Sequence, residues 1–212
     1  MLLLAGSSGT GKTMAAQALG RRLGVSVLQV DDLRLALQQV TTPEQHPSLH
    51  WFLTDTSAQW GPPEQTRAGL IAVTAALEPA LAIITSHHCA VRGAGPIILE
   101  GDGISPALGN GAYLASLPQF DRVHLARGVV RGVVLMEESD SRLLHNMRAR
   151  GRDHGAADRA AEEAFAHASL LYGRWLAEQA AAHAVPVLPA QPWGSLVERI
   201  LTCLDEDAAP GG

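Results

Sequence analysis

Cysteine is scarce: the 212-residue chain holds two, Cys89 and Cys203. Two make neither a disulfide framework nor a metal set, so they read as reduced thiols of a cytoplasmic protein. Lysine is scarcer still, with Lys12 alone against fifteen arginines. Charged residues make up only 17%, but hydrophobic residues reach 47%, which excludes general disorder. The apolar runs are short and interrupted, so no transmembrane helix is expected. The start, MLLLAGSSGTGKT, lacks the charged opening and long apolar stretch of a secretory signal. A net charge of −5 argues against a dedicated duplex-DNA binder and leaves room for a small basic pocket. The nine histidines show no ligand spacing such as H-E-x-x-H, so no zinc site is expected. No internal repeat is present. The length fits one compact domain.

What is present is an alternation of short apolar runs and helical patterns. Leu2 to Ala5, Val25 to Val30, Ile97 to Leu99, Val129 to Met136 and Val185 to Leu188 read as strands. Thr13 to Leu23, Leu33 to Val40, Arg67 to Ala90, Ser105 to Leu117, Ser141 to Met147, Ala156 to His183 and Ser195 to Leu204 read as helices. Pro79 predicts a kink or break in the third of these. The segment from Thr41 to Gln65 mixes four prolines with His46, His50, Trp51, Phe52 and Trp60. It reads as a substrate-side lobe, or as a helical insertion whose aromatics pack on the core. Arg148 to Gly155 reads as a charged loop, and 205–212 as a frayed acidic tail. Strands alternating with helices imply an α/β fold, a parallel sheet covered on both faces. Chemistry in such sheets gathers at the carboxyl ends of the strands.

Three of those ends carry chemically telling residues. Gly6-Ser7-Ser8-Gly9-Thr10-Gly11-Lys12-Thr13 fits G-x-x-x-x-G-K-[ST], between a predicted strand and a predicted helix. Its glycines let successive amides turn towards one anion, and the helix start adds positive potential. Lys12 would reach the β- and γ-phosphates, and the Thr13 hydroxyl would ligate Mg²⁺. After the second strand comes Asp31-Asp32-Leu33-Arg34. Asp31 can accept the proton of a substrate hydroxyl, or merely cap the next helix. Asp32 suits the cap or a supporting position, and Arg34 suits a polar or anionic substrate group. The third strand ends in Glu100, which can hold Mg²⁺ through water or orient the nucleophile. Asp102 is a further candidate there, for the same area or for substrate contact. Arg148, Arg150 and Arg152 form R-x-R-x-R. They read either as a lid that neutralises a transferred phosphoryl group, led by Arg148 or Arg152, or as a solvated face.

The combination of P-loop, V-D-D-L-R, I-I-L-E-G and an arginine-rich loop resembles the small P-loop kinases. Within them it is similar to 2-phosphoglycerate kinase-like, chloramphenicol phosphotransferase-like and zeta-toxin-like kinases, from Leu2 to about Leu204. The segments Leu171 to Leu176 and Gln191-Pro192-Trp193 add to that resemblance. It departs over Thr41 to Gln65, which matches no assignable substrate segment, and at Asp102. The resemblance implies a five-stranded parallel core of order 2-3-1-4-5, ATP and Mg²⁺. It also implies a lid at 148–155, Asp31 as the hydroxyl-activating acid, and Trp193 near the adenine. The function expected is transfer of the γ-phosphoryl group to a hydroxyl of a small molecule. A polynucleotide-end or RNA-directed kinase and a non-enzymatic ATP-binding regulator are the rivals. The net charge of −5 and the scarcity of lysine count against nucleic acid, and the Asp31–Arg34 pair against a pure sensor. The Ala-rich final helices would bury against the sheet or pair two copies as a homodimer. No membrane partner is expected.

Overall fold

A computed structural model describes residues 1–54, 61–90, 95–118, 130–150 and 159–206. Five parallel strands form one sheet: β1 (Leu2–Gly6), β2 (Ser26–Gln29), β3 (Ile97–Gly101), β4 (Arg131–Met136) and β5 (Val187–Pro189). Their spatial order is β2-β3-β1-β4-β5. The helices are α1 (Lys12–Leu23), α2 (Val30–Val40), α3 (Trp51–Thr54), α4 (Pro63–Ala90), α5 (Gly111–Ser116), α6 (Asp140–Ala149), α7 (Arg159–Ala182) and α8 (Leu196–Glu206).

Alternation along β1 assigns the two faces. Leu2 and Leu4 pack with Ala15, Ala16 and Leu19 of α1 and with Leu196 and Ile200 of α8. Leu3 and Ala5 pack with Val73, Leu77 and Leu81 of α4 and with Tyr172 and Leu176 of α7. Leu4, Leu81 and Leu176 have no exposed surface. Each such side chain contributes roughly 1.5–3 kcal/mol by leaving water. The register sets Leu4 beside Glu100 and Ala5 beside Gly101, so the ends of β1 and β3 lie together.

The structure corrects several boundaries. β2 stops at Gln29, and Val30 already belongs to α2. Gln29 is therefore the cap position, and Asp31 and Asp32 sit in the helix's first turn, where their charge favours the positive end. α4 neither breaks nor stops at Pro79. That proline and Ala75, one turn before it, lie on the exposed side, where water can satisfy the freed carbonyl. By length and composition α4 could cross a membrane, with a mean hydropathy of 1.8 in its most apolar window. Here Val73, Leu77, Leu81 and Ala82 are buried in the core. Ser105 to Leu117 divides into a 3-10 turn (Pro106–Gly109) and α5. α6 runs on through Arg148, β5 begins two residues later than expected, and α8 continues through Asp205 to Glu206. Neither Cys89 nor Cys203 forms a disulfide.

Candidate active site

The P-loop joins β1 to α1 at the centre of the sheet. Gly9 and Gly11 have φ values of 86° and 82°, in the left-handed region that a side chain strains. Gly11 caps α1 without a side-chain bond, so the first-turn amides are left to an external acceptor. Neighbouring elements brace the loop from three sides. The Asn146 amide of α6 donates to the Gly9 carbonyl at 2.8 Å. Gly173 of α7 lies so close that a Cβ on it would stand 3.2 Å from Ser7 Oγ. A Cβ on Gly11 would stand 2.9 Å from the Trp193 indole nitrogen. Trp193 is thus brought to the rim of the loop.

Lys12 is buried, with its ammonium 2.9 Å from Asp102 Oδ1 and 3.2 Å from the Ser7 carbonyl. The other Asp102 oxygen accepts from Ser8 Oγ at 2.9 Å. Burial acts to raise the Asp102 carboxyl. The Lys12 charge, hydrogen bonds from Lys12 and Ser8, and the Arg34 charge overcome it and hold Asp102 below the ordinary carboxylate range. The Tyr172 hydroxyl donates to the Asp102 carbonyl and shares a 2.7 Å hydrogen bond with Thr74 Oγ1. Burial pushes this phenol up, so it stays protonated.

Glu100 is buried at the end of β3 and accepts a hydrogen bond from the Thr13 hydroxyl. Burial pushes its carboxyl up; Lys12 and Thr13 oppose the rise, while Asp102 and Asp31 add to it. Among the described residues no group of three or more His, Cys, Asp or Glu could hold a metal by itself. Thr13 and Glu100 are instead hard oxygen donors joined to each other, a set that suits Mg²⁺ shared with phosphate oxygens. Asp31 is half-exposed, 3.3 Å from Arg34.

Two cavities meet here. A cleft of about 410 Å³ is lined by Lys12, Thr13, Gln29, Glu100 and Arg150. A pocket of about 250 Å³ is lined by Arg34, Gln38, Phe52, Thr74, Phe165 and Tyr172. Ser8, Asp31 and Asp102 belong to both. The sequence candidates Gly6 to Thr13, Asp31, Glu100 and Asp102 are therefore brought together, with Arg34 on the pocket side. Of the segment 41–65, Phe52 and Leu53 reach the pocket. His50 is buried against Thr41 Oγ1 at 2.9 Å, and Trp60 lies outside the described residues.

The arginines sort differently from the expectation. Arg148 does not face the cleft. Its Nε and Nη2 fork onto one oxygen of the buried Glu162 at 2.7 and 2.6 Å, tying α6 to α7. Arg150 lines the cleft instead, and Arg152 lies outside the described residues, as does the rest of the expected lid, 151–155. Asn146, Thr74 and Gln38 escaped the sequence reading, and Tyr172 entered it only within the segment Leu171 to Leu176, with no role. Asn146 offered one signal: it shares the apolar face of its helix with Leu143 and Met147, and a polar residue there needs a partner.

The sheet order and the loop at its centre define the P-loop kinase fold. A family model described as "ATPase family associated with various cellular activities (AAA)" matches residues 2–57, a stretch that holds β1, the loop, β2 and Asp31. Shikimate kinase from Acinetobacter baumannii in complex with shikimate superposes with a TM-score of 0.51 at 18% identity. The match covers 99% of this chain and 94% of that one, and shows the fold. Deoxyadenosine kinase from M. mycoides with bound dATP has a TM-score of 0.49 at 14% identity, covering 96% and 98%. No curated protein matches the chain.

Proposed function

We propose that the chain is an ATP-dependent phosphotransferase that moves the γ-phosphoryl group to a hydroxyl of a small molecule, with residues 1–204 as one kinase domain. The observation that carries this is the junction of two cavities at Ser8, Asp31 and Asp102. A regulator that only binds nucleotide has no use for a second pocket opening onto the phosphate site. The amides of Gly6 to Gly11 and the Lys12 ammonium would hold the triphosphate. Mg²⁺ bound by Thr13, with Glu100 supporting it through water, would offset phosphate charge. Asp31 would orient the acceptor hydroxyl and take its proton, and Arg34 would steady Asp31 and meet a polar group of the acceptor. Arg150, with Arg152 from the same run, would neutralise charge on the transferred group. Trp193 would lie beside the adenine. The acceptor would be a compact molecule with an apolar face set against Phe52, Phe165 and Tyr172.

The test is acceptor-dependent ADP release from ATP and Mg²⁺ across phosphoglycerates, nucleosides, sugars and aminoglycosides. Lys12→Ala serves as the blank. An acceptor that raises release in the parent but not in the blank establishes the kinase. Asp31→Asn should still bind ATP and lose at least about a hundredfold in transfer. Equal transfer in that variant and the parent would remove Asp31 from the reaction.

A further inference from the structure

The carboxylate of Asp102 takes two donors that face the nucleotide cleft. One is the Lys12 ammonium at 2.9 Å and the other the Ser8 hydroxyl at 2.9 Å. An ammonium and a hydroxyl converging on paired anionic oxygens is also how a loop of this kind receives a phosphate. We propose that Asp102 competes with the nucleotide's phosphates for Lys12, and so determines how much phosphate a ligand must bring. This rests on the phosphate-binding reading of the loop given above.

The consequence is selectivity by phosphate number. In such loops the lysine serves the β- and γ-phosphates. A nucleoside di- or triphosphate therefore places oxygens where Lys12 can exchange partners. A monophosphate does not reach it and leaves the Lys12–Asp102 pair intact. Like charge drives the exchange to completion, because a polyphosphate and Asp102 repel each other across one ammonium. The exchange needs little movement of the chain, since the Tyr172 hydroxyl holds the Asp102 carbonyl in place. Asp102 also lines the acceptor pocket. Displaced from Lys12, its side chain stays at the junction and can accept a hydrogen bond from the acceptor hydroxyl. Nucleotide arrival would then prepare the acceptor side.

The experiment is calorimetric titration of the full chain with AMP, ADP and ATP, for the parent, Asp102→Asn and Tyr172→Phe. Asn keeps the shape and can still accept from Ser8, but it releases Lys12. Asp102→Asn should bind ADP and ATP about tenfold more tightly, within the usual range of site coupling, with AMP unchanged. Tyr172→Phe, which removes the hydroxyl that holds the Asp102 carbonyl and lies outside the phosphate-binding loop, should shift ADP and ATP in the same direction by less. It decides the matter should Asp102→Asn fail to fold. Weaker or unchanged ADP binding in these variants overturns the proposal, because Asp102 would then merely hold Lys12 in place. An equal gain for AMP overturns it too. Should the parent bind no nucleotide at all, the phosphate-binding reading falls and takes the proposal with it. Parent binding with weaker variants removes the proposal alone.

Discussion

Asn146→Ala should loosen the P-loop from outside it. The Asn146 amide is buried and donates to the Gly9 carbonyl at 2.8 Å, across 137 residues of chain. Gly9 is held in the left-handed region, where an unsupported loop has many alternatives. Removing the donor costs the bond and the desolvation of a buried carbonyl, about 1–3 kcal/mol together. At about 2 kcal/mol, a domain of this size should melt about 4–8 °C lower. Part of the same cost reappears in ligand binding, because the nucleotide must then order the loop itself. Some 1 kcal/mol of that would weaken ATP about fivefold. The assays are a thermal melt followed by circular dichroism and an ATP titration by calorimetry. The melt reads the lost bond, and the titration reads loop order. A melting temperature unchanged within about 1 °C, with unchanged ATP affinity, would refute the claim that α6 braces the loop.

Two arginines separated by one residue should behave in opposite ways. Arg148→Met removes the fork from the buried Glu162 and should cost about 1–3 kcal/mol, discounted for the partly exposed guanidinium, with little loss of turnover. Arg150→Met should leave the melting temperature alone and slow transfer, and a reversal of these two patterns in melts and rate assays would misplace both residues. Glu100→Gln should stabilise the protein at neutral pH. Burial raises the native carboxyl above its ordinary 4.5, so the folded state holds the extra proton and stability falls as pH climbs through that window. The variant's advantage in thermal melts should therefore vanish on acidification below about pH 4.5; an advantage that persists there would point to a cause other than ionisation.

The alternating runs were enough to specify the layers, because a parallel sheet covered on both faces needs apolar strands and amphipathic helices in turn. The loop from Gly6 to Thr13 was equally legible, since its residue types answer a local demand: tight backbone turns, one ammonium and one hydroxyl. Asp31, Glu100 and Asp102 were legible as strand-end acids, but not their division of labour. That division is tertiary. It depends on β1 lying beside β3, which puts Glu100 against Thr13 and Asp102 against Lys12 across some 90 residues of chain. The same holds for Asn146 on Gly9 and for Arg148 on Glu162, where the partner is chosen by packing of one helix on another element. An arginine-rich run looks alike whether its members face phosphate or a buried carboxylate, because composition carries no direction. Pro79 shows the converse. Local propensity predicted a kink or a break, and the helix runs through Pro79 without a break because the proline falls on the side facing water. Patterns set by neighbours in the chain belong to the sequence alone; which charge meets which is decided only when distant strands come side by side.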